Sequence, residues 1–133
     1  MSEQNQNQGQ KRMRVQAVRV GLDGRLEVID LGVGESTGAV IRAAIGCRWF
    51  DVVRLGRDLD MWIDDDGAVL ADAQVNVVAT AIARADGAIW QPFCGVAVFA
   101  SHDRHGETVG LSERVRDALL SGAILTRTAA VSR

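Results

Sequence analysis

The sequence contains few of the residues that usually mark catalytic or metal sites. Its 133 residues include two cysteines, two histidines, one proline and no tyrosine. Cys47 and Cys94 both lie in apolar runs, so we predict reduced, buried thiols rather than a disulfide framework. His102 and His105 are the two histidines of the chain and lie in a polar loop shortly after Cys94, which begins a predicted buried strand, so four zinc ligands are hard to assemble. We predict no metal site and no cofactor.

The charge balance and the hydropathy exclude two further classes of protein. Fifteen basic and seventeen acidic residues give a net charge of −2, which lacks the basic field of a general nucleic-acid binder. The longest apolar run, near Cys94, is too short to span a bilayer. The chain starts with a polar, glutamine-rich stretch and has no apolar signal segment. We therefore expect a cytoplasmic protein with neither a membrane nor a nucleic acid as partner.

The length and composition favour one globular domain. Apolar residues make up 47% of the chain and charged residues 24%, which is ordinary for a soluble domain. Residues 1–11 have no apolar periodicity, so we expect a disordered polar tail there. The sequence predicts a single domain over residues 12–125 and a frayed tail over 126–133.

Hydrophobic periodicity and turn residues predict the order β-β-α-β-β-α-β-(β)-α. Asp23-Gly24 is a hairpin signal, and residues 35–37 offer caps for a first helix. Asp72 is the predicted cap of a second helix whose apolar stripe starts at Val75, and Ser112 caps a third. Hairpins outnumber crossovers. We therefore predict an α+β fold: a mostly antiparallel sheet of five or six strands with about three helices, mainly on one face.

Residues 56–67 place five acidic residues around Trp62. A calcium loop anchored on Gly67 would put Trp62 at its first ligand position and Ala73 at its twelfth, so two key ligands are missing. The alternation instead predicts a hairpin in which Val52 lies opposite Trp62, and Arg54 lies opposite Asp60 as a cross-strand ion pair.

This predicted hairpin has one face that is half apolar and half charged. Its members form the candidate ligand or partner face: Phe50, Arg54, Asp60, Trp62 and Asp64. Two interpretations stay open. A helix covers the apolar part, or the face is an open aromatic patch for a partner, a dimer mate or a flat ligand. Asp65 and Asn76 form a second possible polar site, although Asn76 also suits a hydrogen bond to the preceding loop.

The sequence shows no catalytic set. The glycine-rich turn at residues 32–38 fails the phosphate-loop pattern because no lysine precedes a serine or threonine at the required spacing. Such a turn could still bind an anion through free backbone N–H groups, although a plain strand-to-helix connection explains it. Thiols in apolar segments make poor nucleophiles. We predict no catalytic residues, and an enzyme is the less favoured alternative.

Residues 50–55 and 61–67 resemble the middle of the family called domain of unknown function 3846, small proteins from phages, plasmids and bacterial genomes. Asp65 and Gly67 resemble the first and last residues of the family's Asn/Asp-Glu-x-Gly motif, and Asn76 resembles the polar Asn that follows it. The segment from Gly95 to Ser112 resembles the closing part of the family. The resemblance covers about residues 13–120. Residues 71–76 depart from the family pattern because they lack its Lys and Pro-Pro-Asn run. The resemblance implies a mobile-element or accessory context and no defined activity.

These observations predict a small binding or accessory protein, phage- or plasmid-associated, that acts through contacts with a protein or a small molecule rather than by catalysis. One alternative is a small-molecule or nucleotide binder, with weak hydrolysis included, at the acidic and aromatic hairpin face. Another is a self-associating structural protein, which makes a homodimer a possible partner arrangement.

Overall fold

The computed structural model describes residues 15–32, 36–66 and 73–122. The predicted tails and the predicted helix cap Asp72 lie outside these ranges. The elements in chain order are β1 (Gln16–Val20), β2 (Leu26–Asp30), α1 (Ser36–Ile45), β3 (Phe50–Arg54), β4 (Asp60–Asp64), α2 (Val77–Gly87), β5 (Ala97–His102), β6 (Thr108–Val109) and α3 (Glu113–Ser121).

The strands form one antiparallel sheet, and its order is β2-β1-β5-β4-β3, with β6 paired to the end of β5. The α+β prediction with six strands and three helices is therefore confirmed over the described residues. β5 lies at the centre, and five of its six residues are buried. This explains its nearly unbroken apolar sequence, because a central strand covered on both faces has no side that must be polar.

The two faces of the sheet carry different helices. Helices α2 and α3 pack on one face, through a core that includes Ile82, Leu119 and Phe99. Helix α1 packs on the other face, where its Ile41 meets Val98 and other residues of β1 and β5. Two of the three helices thus share a face, as expected, and α1 covers the opposite one. Within the described residues, no helix is long and apolar enough to cross a bilayer.

The ends of α3 follow local sequence rules. Ser112 Oγ accepts a hydrogen bond from the Val115 backbone N–H at 3.2 Å, and Gly122 closes the helix in the left-handed conformation, with φ of 76°. A side-chain oxygen before the first turn and a glycine after the last are the usual solutions for the unpaired backbone groups of a helix. The Ser112 cap was predicted.

The start of α2 differs from the prediction. The helix begins at Val77, and Asn76 is its N-cap. Val75 therefore does not belong to the helical stripe; it is half exposed and forms an isolated bridge to Cys94. The apolar stretch containing Cys94 becomes regular strand only at Ala97. The prediction of buried thiols is wrong, because Cys94 and Cys47 are both partly exposed.

Asn76 is 1% exposed, and each polar atom of its side chain is used. Its Oδ1 accepts the Ala79 backbone N–H at 3.0 Å, and its Nδ2 donates to the carbonyl oxygens of Val20 at 3.0 Å and Gly95 at 2.9 Å. Its backbone N–H donates to the Phe93 carbonyl. One amide thus joins the end of β1, the start of α2 and the segment before β5.

We predict that Asn76→Ala lowers the free energy of unfolding by about 3 kcal/mol, because it removes a cap and leaves two buried carbonyl groups without donors. Urea denaturation measures this change. Ser112→Ala is the matched control, since it removes a cap at an exposed site and should cost about 1 kcal/mol. Equal losses in the two variants would show that the buried amide does no more than cap the helix.

Candidate functional site

The hairpin of β3 and β4 has the register predicted from its sequence. Val52 lies opposite Trp62, Val53 opposite Met61, and Arg54 opposite Asp60. Trp62 and Phe50 therefore lie on the face of the sheet where α1 packs. Both rings contact the apolar cluster that includes Ile41 of α1. Helix α1 covers this face in part, and the rings of Phe50 and Trp62 both remain partly exposed.

The rings of Phe50 and Trp62 meet edge to face, with centroids 4.9 Å apart and planes at 82°. This arrangement brings the positive edge of one ring to the negative face of the other. Gly38 of α1 faces the Phe50 ring, because a Cβ at this position would lie at an ordinary contact distance of 3.8 Å from Phe50 Cζ. A larger side chain there would collide with the aromatic pair or fill the space beside it.

Helix α1 leaves a cavity beside these rings. The cavity has a volume of about 420 Å³ and is open to solvent on one side. We call it the Trp62 cavity; it is lined by Thr37, Gly38 and Ile41 of α1, by Phe50 and Trp62, and by Glu107 and Thr108 of the β5–β6 hairpin. Three separate parts of the chain thus converge on one hollow with aromatic walls and a few polar groups.

The indole N–H of Trp62 is buried and finds no acceptor among the residues that the structure describes. Leaving a buried donor unpaired costs about 1–3 kcal/mol, and native proteins keep few such groups. This N–H is enclosed by protein rather than open to solvent.

Asp60 is 2% exposed, and its carboxylate does not pair with Arg54 as the sequence predicted. His102 Nδ1 instead lies 3.0 Å from each of the two carboxylate oxygens. An ionised carboxylate can only accept hydrogen bonds, so the tautomer that pairs with it in that state carries its proton on Nδ1. The Arg54 side chain is exposed and extends toward the next hairpin, where its Nη2 would lie 3.9 Å from a Cβ on Gly106.

Sequence reasoning missed this pair because it assigned His102 to a loop. In the structure His102 is the last residue of β5, two residues beyond Ala100, which pairs with Asp60. Across the hairpin, His102 lies opposite Thr108, which lines the Trp62 cavity. Directly opposite residues have their side chains on the same face of a sheet. The buried pair therefore adjoins the cavity without forming its wall.

The remaining predicted site residues, Asp64, Asp65 and Asn76, do not line the Trp62 cavity. Asp64 lies at the end of β4, where its Oδ1 accepts the Asp66 backbone N–H at 2.9 Å. Asp65 is exposed in the turn that follows. Asn76 is buried at the start of α2 with its polar atoms occupied. The proposed polar pair of Asp65 and Asn76 is thus one solvated turn residue and one structural amide.

Asp64 also influences a cysteine. Burial raises the pKa of the Cys47 thiol, and the Asp64 carboxylate raises it further, against a smaller opposing effect of Arg42. The Arg42 guanidinium lies 5.5 Å from the centroid of the Phe50 ring. Across the described ranges, 15–32, 36–66 and 73–122, no three histidine, cysteine or acidic side chains are grouped to hold a metal ion.

The family model described as Domain of unknown function (DUF3846) matches residues 13–121. The chain belongs to this family. The family description assigns no activity, and no curated protein or solved structure gives a significant match. The function of this DUF3846 protein is therefore inferred from the geometry of its own residues.

We predict that Asp60 and His102 stabilise each other by about 1–3 kcal/mol, measured as the coupling energy of a double-mutant cycle with Asp60→Asn and His102→Gln. The exposed ion pair of Arg19 and Glu27, whose atoms lie 2.9 Å apart, is the matched control. It should give less than about 1 kcal/mol because solvent screens it. A coupling no larger than that of the control pair would contradict a structural role for the buried pair.

We predict that Asp64→Asn speeds alkylation of Cys47 by iodoacetamide about two- to threefold near neutral pH. Removing the carboxylate lowers a raised thiol pKa, so more of the reactive thiolate is present. The rate is measured in a Cys94→Ser background. Asp65→Asn makes the same charge change in the adjacent turn residue and should leave the rate nearly unchanged, whereas equal acceleration by both variants would rule out the local effect.

Proposed function

We propose that this DUF3846 protein is a small-molecule-binding accessory protein whose ligand is a flat ring compound held in the Trp62 cavity. The observation that carries the proposal is the cavity itself. Its volume of about 420 Å³ falls within the roughly 300–1,000 Å³ typical of ligand pockets. Its lining matches the usual pattern of apolar and aromatic walls with a small number of polar groups.

The shape of the lining supports a flat ligand. Phe50 and Trp62 are held at right angles by their edge-to-face contact, so the pair offers a rigid aromatic corner rather than a deformable apolar patch. Rigid aromatic side chains lose little conformational entropy on binding.

Binding rather than catalysis is the better-supported role. The titratable pair Asp60 and His102 is not part of the cavity wall. The family resemblance implies a phage- or plasmid-associated setting, and a cytoplasmic location is compatible with that setting. Both belong to the proposal.

The proposal is tested in a variant that has Trp62 as its one tryptophan. Trp49 and Trp90 are 62% and 72% exposed, so Trp49→Phe and Trp90→Phe should cost little stability. We predict that at least one compound from a panel of planar heterocycles changes the Trp62 emission in a saturable way. Small ligands in such cavities bind with dissociation constants of roughly 10 µM to 1 mM.

Two substitutions at Gly38 provide the control. Gly38→Leu should fill the cavity from the side of α1 and abolish binding, whereas Gly38→Ala places one methyl group at an ordinary contact distance and should retain it. Far-UV circular dichroism confirms that both variants are folded. Binding that survives Gly38→Leu, or a panel with no effect on emission or melting temperature, would refute the proposal.

A further inference from the structure

The charges that line the Trp62 cavity are of one sign. Among the described lining residues, Glu107 is the single charged side chain, and no lysine or arginine belongs to the wall. Of the two acids that flank Trp62 on β4, Asp60 is already paired with His102, and Asp64 accepts the Asp66 backbone N–H. A ligand entering the cavity therefore meets one carboxylate that has no cationic partner in the lining.

We propose that the ligand of this cavity carries an amino or amidino group on a planar ring and carries no anionic group. This inference rests on the proposed function and names its ligand class. An amino group donates hydrogen bonds, and Glu107 is the group in the wall that can only accept them when ionised. The aromatic rings act in the same direction, because their faces attract cations and N–H groups.

Three positive features lie near Glu107 or the aromatic rings. Thr37 and Gly38 belong to the first turn of α1 and line the cavity, and a helix N-terminus carries about half a positive charge. Arg42 lies near the Phe50 ring, and Nη2 of Arg54 would lie 3.9 Å from a Cβ on Gly106, the residue before Glu107. Neither arginine belongs to the lining, so Glu107 carries the full charge that a ligand in the cavity contacts directly.

The negative wall should discriminate between phosphorylated and unphosphorylated ligands that share the same ring. A phosphorylated ligand such as a nucleotide would bring its negative charge to a wall with one carboxylate and no cationic side chain. An amino-substituted base, or its nucleoside, carries no phosphate and would bring no negative charge to this wall. The cavity thus favours the unphosphorylated form, and a general nucleotide-binding role is the outcome that the geometry disfavours.

The test uses three compounds with the same ring and nearly the same shape. Benzamidine is cationic at neutral pH, benzamide is neutral and benzoate is anionic. We expect calorimetric titration of the full chain to give affinities in that order, with benzamidine about tenfold tighter than benzoate, since one full charge at contact distance supplies about 1.4 kcal/mol even near solvent. Adenosine should likewise bind more tightly than adenosine 5′-monophosphate.

Glu107→Gln should reduce the difference between benzamidine and benzoate to about twofold while leaving the affinity for benzamide nearly unchanged. Glu113→Gln is the matched control, because this exposed residue of α3 belongs to a helix on the opposite face of the sheet. It should preserve the full difference. Gly38→Leu should abolish binding of all three compounds if they occupy the Trp62 cavity.

The outcomes distinguish the two proposals. Benzoate binding as tightly as benzamidine, or an unchanged difference in Glu107→Gln, would overturn the inference about charge and leave the cavity as a ligand site. If none of these compounds and no planar heterocycle binds, the proposed function fails and the inference falls with it.

Discussion

The arrangement of the described domain depends on one buried amide. Asn76 hydrogen-bonds the last carbonyl of β1, the first turn of α2 and the segment that leads into β5. A buried amide is stable only when each of its polar atoms has a partner, so these three segments cannot shift independently. The amide thereby sets where the central strand begins and which of its side chains face each helix layer.

The opposite end of β5 is held by the second buried polar contact, between Asp60 and His102. This contact ties the end of β5 to the start of β4 and orients the hairpin that carries Glu107 and Thr108 to the Trp62 cavity. Polar contacts at both ends of one strand thus determine where three separate segments meet. The cavity exists because α1 covers the aromatic pair only in part, which leaves a hollow beside the rings.

The features that sequence alone predicts are those decided by neighbours along the chain. Alternation in β3 and β4 predicts their register to the residue, because a slip of one position would exchange the apolar and polar faces. The caps of α3 follow from Ser112 and Gly122 for an equally local reason. The start of α2 was placed too early because Asp72 and Asn76 are both good caps by residue type. Only the partners of Asn76 distinguish it, and those are distant in sequence.

The sequence by itself therefore determined the element order, the hairpin register and the presence of Trp62, Asp60 and Asp64 on one strand face. The tertiary structure alone decided that α1 covers part of that face, that Asp60 pairs with His102 rather than Arg54, and that a cavity remains between helix and rings. The reason is physical: periodicity encodes which side of a strand is apolar, whereas the partner of a buried charge depends on which segments the packed sheet brings within hydrogen-bonding distance.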